Sequence, residues 1–314
     1  MPAELLSVVV PVYNEVESVG ELHRRLSTVM AGLGEHELVF VDDGSSDGTW
    51  EALVGLAKGD RHVRLIRLSR NFGHQLALSA GLEAARGDAV VSIDADLQDP
   101  PEVIPDLVAR WREGYDVVYA VRERRTGESR FKLATAAVFY KGINRLSSTE
   151  IPEQAGDFRL LSRRALDGLL AMPERARFLR AMSTWIGFRQ IGVPYGRDAR
   201  YAGETKYPFR KMARLATDAV TSFSTAPIRA VTTLGLVSVA FCMLALVWTL
   251  YLRLFTDRTI QGWTSVLVVV LFLGGVQLLS IGIIGQYVGR IYDEVKGRPL
   301  YLVEETVEPQ RPEQ

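Results

Sequence analysis

The stretch that decides the fold is AVVSIDADLQDPPE, Ala89 to Glu102. Ala89-Val90-Val91-Ser92-Ile93 is short and apolar, as expected of a strand buried in a sheet. Asp94 and Asp96 follow at i and i+2, so two carboxylates leave the sheet edge together. Such a pair can hold a hard divalent cation, which usually keeps waters and takes its other ligands from substrate phosphates. A metal held there offsets the charge of a diphosphate leaving group.

Working outward, the same rhythm recurs on both sides. Leu6 to Val12 (LSVVVPV) reads as a β-branched strand, and Glu17 to Leu33 follows with helical spacing through Val19, Leu22, Leu26 and Val29. Leu38 to Val41 is strand-like and precedes the turn-rich Asp42 to Gly48, after which Trp50, Leu53, Val54 and Leu56 mark a helix. Val63 to Leu68, His74 to Ala85, Pro101 to Trp111 and Asp116 to Val121 continue as strand, helix, helix and strand. Strands alternating with helices of this length predict βαβ units, a mostly parallel sheet and ligands at the carboxyl ends of its strands. Carboxylates gather at those ends: Glu15, then Asp42 and Asp43, then Asp94 and Asp96. Asp47 and Asp99 read as solvated acidic loop positions. No GxGxxG or GxxxxGK(S/T) stretch follows the first strand, so neither a dinucleotide fingerprint nor a P-loop is present.

The chain has 314 residues, 37 basic against 37 acidic, and a single cysteine, Cys242. A net charge of zero argues against a nucleic-acid partner, which calls for a basic excess, and one cysteine excludes an internal disulfide framework. Met1-Pro2-Ala3-Glu4 carries no basic region ahead of an apolar run, so no secretory signal is expected.

The mean hydropathy of +0.07 averages over unlike regions. Val231 to Leu252 and Gly262 to Gly289 are free of charge, and the first, as a helix, reaches roughly 33 Å. They predict a transmembrane hairpin, with Trp248, Tyr251, Trp263 and Tyr287 near its ends, where aromatic rings prefer the headgroup zone. Arg210, Lys211, Arg214 and Arg229 precede it and Arg290, Lys296 and Arg298 follow it, against Arg253 and Arg258 in the connection. That asymmetry puts both termini and the soluble domain on the cytoplasmic side of an inner membrane, in a multi-pass protein. Tyr207 to Phe223 has the spacing of an amphipathic helix, lying on anionic lipid or packed on the soluble domain. The expected organisation is a cytoplasmic domain over 1–206, an interfacial helix over 207–229, two spans over 230–290 and a cytoplasmic tail over 291–314.

VVVPVYNE (Val8–Glu15), VDDGSSDGT (Val41–Thr49), RNFGHQLALSAGL (Arg70–Leu82), DADLQDPPE (Asp94–Glu102), GDFRLLSR (Gly156–Arg163) and RYAGETKY (Arg200–Tyr207) together resemble the family 2 glycosyltransferases of the A-type nucleotide-diphospho-sugar transferase fold. Within that family the chain is similar to the polyprenyl-phosphate glycosyltransferases, and the two-span tail looks like that of their bacterial branch. The resemblance implies that Pro11, Tyr13, Glu15 and Asp42 line a nucleoside pocket with Asn71 near the base, and that Asp94, Ala95 and Asp96 hold the ribose and metal-diphosphate. Gln98 completes the metal site, with Mg2+ or Mn2+ as the ion. Arg122, Arg200 and Lys206 match the positive groups around the donor diphosphate and acceptor phosphate. Arg124, Arg125 and Arg130 fit that role or a solvated surface equally. Asp157 matches the residue proposed as catalytic base. A phosphate monoester has its second pKa near 6, however, so the acceptor needs little deprotonation and Asp157 can equally orient Arg159 or position the acceptor or metal.

The expected reaction is inverting transfer of a hexose, glucose from UDP-glucose first and mannose, N-acetylhexosamine or an aminopentose as alternatives, to polyprenyl (undecaprenyl) phosphate at the cytoplasmic face. Phe131 to Leu146, apolar with Lys132, Lys141 and Arg145 around it, lies beside the lipid phosphate or in the core. A processive polysaccharide synthase needs a Gln-x-x-Arg-Trp motif, which is absent, and more spans. A non-catalytic membrane adaptor is the other alternative, and intact Asp94, Asp96 and Asp157 count against it. Gly274, Gly275, Gly282 and Gly285 allow close helix contacts and leave a homo-oligomer open.

Overall fold

A computed structural model describes residues 4–122, 155–196, 226–255 and 262–309. The chain divides into two compact units: one holds the sheet, its helices and the C-terminal residues from Arg298, and the other holds two long helices ending at Gly297.

The first unit is built on strands β1 (Leu6–Val12), β2 (His36–Asp42), β3 (Val63–Leu68), β4 (Ala89–Ser92), β5 (Val117–Arg122), β6 (Ala155–Ser162), β7 (Gln190–Tyr195) and β8 (Val303–Val307). They form one sheet in the order β7-β5-β6-β4-β1-β2-β3-β8. β4, β1, β2 and β3 run parallel, as predicted. β6 enters antiparallel between β4 and β5, so the half of the sheet beyond β4 is mixed, and β8 closes the far edge antiparallel to β3.

Helices α1 (Val19–Ala31), α2 (Thr49–Gly59) and α4 (Ile104–Arg112) cover one face; α3 (His74–Ala84), α5 (Arg163–Leu170) and α6 (Leu179–Trp185) cover the other. The period-2 alternation of β1 shows why two layers are needed. Val8, Val10 and Val12 pack with Leu22, Leu26 and Leu53 on one side, while Val9 packs with Ala77, Leu78 and Leu82 on the other. At Gly81 of α3 a Cβ would stand 2.3 Å from Val9 Cγ1, so the helix approaches the sheet at a distance only glycine permits.

Within residues 291–314 the last long helix continues to Val295, and Val303–Val307 is a strand of the sheet. VEETV has no apolar alternation, which is why the sequence pattern does not reveal it. An edge strand draws its stability from backbone hydrogen bonds and needs no buried face.

The second unit contains α7 (Ala226–Phe255, 30 residues) and α8 (Trp263–Val295, 33 residues), which pack against each other. Phe272–Val295 is long and apolar enough to cross a membrane, and none of its most apolar window is buried within the protein. Leu236, Leu244, Leu254, Leu278 and Val288 are exposed. The expected interfacial helix, the Phe131–Leu146 segment and the connection between the long helices lie outside the described residues.

Candidate active site

The carboxyl ends of β1, β2 and β4 and the start of β6 bring together most of the residues singled out from the sequence. At β1 and β2 the loops are laced by local hydrogen bonds. Asn14 takes a left-handed backbone (φ 53°), its N–H donates to Ser45 Oγ (2.9 Å) and its side chain accepts from Ser46 N (2.9 Å). Glu15 N donates to Thr49 Oγ1 at 2.9 Å, and the Glu15 carboxylate accepts from Ser18 Oγ at 2.7 Å. Pro11 is buried in β1, while Tyr13 is exposed and free to meet a planar ligand.

The two aspartates after β2 have separate work. Asp43 is a structural clamp: its two oxygens accept from Phe72 N (2.7 Å) and Gly73 N (2.9 Å), which fixes the loop carrying exposed Asn71. Gly44 lies so close to that loop that a Cβ would meet Arg70 C at 2.6 Å, and its φ of +71° also requires glycine. Asp42 is fully buried; one oxygen accepts from Ser45 N at 3.2 Å and the other has no hydrogen-bond partner. Burial pushes its carboxyl pKa up. Arg67 Nε stands 3.6 Å from that orphan oxygen and 3.6 Å from Glu304 of β8, with its guanidinium over the Trp50 ring. Sequence reading missed Arg67, one of two arginines, with Arg64, inside the apolar strand β3, and that pairing of charge with an apolar run was the available signal.

At the end of β4, Leu97 adopts a left-handed backbone (φ 58°) although it is buried. The turn is secured by Asp96 Oδ1, which accepts from Gln98 N at 3.1 Å. Burial, reinforced by the charges of Asp157, Asp99 and Asp96, raises Asp94 to about 6 even with His74 opposing the shift. A partly exposed carboxyl among other carboxylates is a place where a cation is favoured. Among the described residues no group of three or more His, Cys, Asp or Glu side chains is arranged to hold a metal. Asp94 and Asp96, two carboxylates on one turn, are a donor pair that suits an ion taking most of its ligands from phosphate oxygens and water.

Asp157, on β6, faces this turn. Its main-chain oxygen accepts from Ser92 Oγ of β4 at 2.5 Å. His74, the first residue of α3, bridges the two acids, with Nε2 3.4 Å from Asp94 Oδ1 and 3.5 Å from Asp157 Oδ2. Gln75 Nε2 donates to Asp157 Oδ2 at 2.9 Å, and Arg180 Nη2 stands 3.7 Å from Asp157 Oδ1. Burial acts to raise the Asp157 pKa, but the His74 hydrogen bond and the charges of Arg180 and Arg159 outweigh it and hold the carboxyl far below the usual range. At His74 burial acts downward, and the same acids reverse it, so the imidazole is raised. Arg159 is fully enclosed; burial pushes it down to about 10, and it donates to Gly156 O (2.6 Å) and Ser183 Oγ. His74 and Gln75 lie within the family-like stretch Arg70–Leu82 without a role assigned to them, and Arg180 carries no mark at all; only the fold brings the three to Asp157.

Asp99 corrects its sequence reading. It is fully buried, and it receives the Tyr195 hydroxyl and, at 3.4 Å, Arg122 Nη2. Arg122 Nε also donates to Tyr195 Oη at 3.1 Å. Asp99 followed by two prolines resembles a loop in composition, but the turn folds its side chain under the sheet edge. Exposed Asp47 likewise has a structural task, accepting from Thr49 N (3.1 Å) and Val16 N (3.3 Å). Arg200, Lys206, Arg124, Arg125 and Arg130 lie outside the described residues.

Comparisons with known proteins agree with this architecture. The model of the family described as "Glycosyl transferase family 2" matches residues 7–170. An uncharacterised glycosyltransferase of Bacillus subtilis is 48% identical over 96% of this chain and 93% of its own. A prophage-derived bactoprenol glucosyl transferase of Shigella flexneri is 42% identical over 96% of this chain and 98% of its own. Among solved structures, glucosyl-3-phosphoglycerate synthase of Mycobacterium tuberculosis, in complex with Mn2+, uridine diphosphate and phosphoglyceric acid, superposes with a TM-score of 0.50. It is 23% identical and covers 69% of this chain and 76% of that one, a likeness of fold.

Proposed function

The chain belongs to glycosyl transferase family 2, and from that premise we propose that it transfers glucose from UDP-glucose to a polyprenyl phosphate at the cytoplasmic face of the membrane. The observation that carries this reading is the presence, in one chain, of a carboxylate-lined strand-end site and a pair of long helices with exposed apolar side chains. A water-insoluble acceptor has to be met at a bilayer surface. The likeness to a bactoprenol glucosyl transferase over nearly the whole of both chains favours glucose and a polyprenyl acceptor.

In the proposed reaction an acceptor phosphate oxygen forms a bond to the anomeric carbon. The bond from that carbon to the donor diphosphate breaks on the opposite face, and its electron pair leaves with the nucleoside diphosphate, so the configuration inverts. Pro11, Tyr13, Glu15, Asp42 and Asn71 bind the nucleoside, with Asp94 and Ala95 near the ribose. Asp94 and Asp96, with Gln98 beside them, would hold Mg2+ or Mn2+, which when bound supplies positive charge against the diphosphate. Arg122, held by Asp99 and Tyr195, together with Arg200 and Lys206 adds charge for the diphosphate and acceptor. Asp157 is so firmly held as a carboxylate that it is a weak base, and an acceptor phosphate largely ionised at neutral pH does not need one. Its role in this scheme is to fix His74, Gln75 and Arg180.

The returning strand supports a membrane hairpin. β8 belongs to the same sheet as β1–β7, which fits a chain that leaves that unit before α7 and rejoins it after α8 on one side of a bilayer, with an even number of crossings. α8 contains a segment long and apolar enough for one. α7, at 30 residues and about 45 Å, supplies the other.

The test is transfer of labelled glucose to undecaprenyl phosphate by the purified full chain, with and without a chelator. A lipid-linked product that disappears with EDTA, returns with Mg2+ or Mn2+ and falls by roughly 100-fold or more in Asp94→Asn is expected. Absence of metal-dependent transfer from a panel of nucleotide sugars overturns the reading in favour of a non-catalytic adaptor.

A further inference from the structure

Asp157 has more cationic charge around it than the transfer of sugar from the donor explains. Arg159 and Arg180 both act on its carboxylate, and their mutual repulsion contributes to the lowered pKa of Arg159. Arg159 is fully engaged as a strut between β6 and α6 through Gly156 O and Ser183 Oγ. Arg180 is not. It sits in the first turn of α6 with its side chain 22% exposed and touches Asp157 only at 3.7 Å; its Nε is buried with no hydrogen-bond partner among the described residues. Three residues earlier, ahead of α6, Nε and Nη1 of Arg177 are also buried with no hydrogen-bond partner among the described residues.

Buried guanidinium N–H groups without acceptors are costly, and native interiors rarely leave them so. Arg180 carries such a group beside the carboxylate that His74 ties to Asp94, which sets it to receive an anion, and Arg177 carries two more three residues earlier in the chain. A guanidinium presents its donors as a planar fork that suits phosphate oxygens, and its charge does not depend on pH in the working range. The donor diphosphate has its own counter-charges on the Asp94 side, so the anion left to place is the one that approaches from the Asp157 side.

We infer that Arg180, seconded by Arg177, binds the phosphate group of the acceptor, and that Asp157 aims Arg180 toward the anomeric carbon. The inference rests on the transfer reaction proposed above and gives its acceptor phosphate a protein partner on the α6 side, additional to Arg122 and Lys206. Asp157 thereby becomes a positioning residue: it accepts one face of the guanidinium and leaves Nε and the other edge for phosphate. The same arrangement accounts for its deep ionisation, because a neutral carboxyl would release Arg180.

The test uses the full chain in detergent with UDP-glucose, undecaprenyl phosphate and Mg2+, and compares Arg180→Gln, Arg180→Lys, Arg177→Gln and Asp157→Asn with the parent. Loss of a charged hydrogen bond is expected to raise KM for undecaprenyl phosphate roughly 10- to 100-fold in Arg180→Gln, with partial rescue in Arg180→Lys and a smaller rise in Arg177→Gln. UDP affinity, measured by calorimetry on the same samples, is expected to stay within about twofold, which shows a folded donor site. Asp157→Asn is expected to raise the same KM without displacing the pH profile. An unchanged lipid KM in Arg180→Gln overturns the assignment, and so does a parallel loss of UDP affinity, which would make Arg180 structural. If the parent itself binds UDP-glucose but glucosylates no lipid phosphate, the failure belongs to the proposed reaction and removes the assignment with it.

Discussion

At the scale of single residues, the site depends on side chains whose importance is invisible until they are folded. Asp94 and Asp96 stand out in the sequence because two acids after an apolar strand have few structural explanations. Asp99, three residues on from Asp96, reads as loop and is instead the buried anchor of Arg122. No local pattern distinguishes the two cases, since the partner hydroxyl of Tyr195 comes from β7. Tyr195→Phe tests that anchor. It removes the hydroxyl on which Asp99 and Arg122 converge. A loss of about 1–3 kcal/mol in unfolding free energy is expected, with a raised KM for the donor. Stability and KM both at parental values would show that Arg122 is held by something else. The resemblance implies a place for Asp42 in a nucleoside pocket, whereas its unpartnered oxygen and the Arg67–Glu304 pairing beside it emerge only from the fold.

Among the elements, β1 to β5 were readable because each is a run of apolar or β-branched residues followed by a helix-period segment, and burial on both faces leaves that mark. β6, β7 and β8 were not. β6 carries Asp157 and Arg159 among its apolar residues, and β8 is a polar edge. Helix ends show a similar limit: α2 stops at Gly59, where Asp60 collects a cluster with no single strong signal. Asp60 accepts from His62 N (2.9 Å), pairs with His62 Nδ1 (2.8 Å) and joins His23 of α1 at 2.9 Å. Burial acts to raise its pKa, but these hydrogen bonds prevail and bring it to about 2. A folded pKa below the unfolded one means stabilisation that is complete above the unfolded value of about 4 and is lost as pH falls through it toward about 2. Asp60→Asn is therefore expected to cost about 2 kcal/mol near neutral pH and to flatten the acid limb of the unfolding curve. An acid limb identical to the parent's would place the stabilisation elsewhere.

For the whole molecule, the zero net charge proved to be an average of an acid-rich strand-end site and basic flanks around the apolar helices. The proposed hairpin makes a prediction at this scale. With Cys242 replaced by serine, a cysteine at Arg258 is expected to react with an impermeant maleimide from outside intact cells, and one at Glu308 only after the membrane is opened. Labelling of both positions from the same side would remove α7 as a crossing. The strand that follows α8 also bears on how the protein is made. Arg64 of β3 reaches Glu308 across 244 residues of sequence, so every other strand of the sheet is synthesised before the one that covers its β3 edge. Until the ribosome has passed both apolar helices, the nascent domain carries an open row of backbone donors and acceptors along β3, the kind of edge on which chains aggregate. Docking of β8 is then the last step of biosynthesis, and a domain cut away from its C-terminal residues retains the open edge permanently.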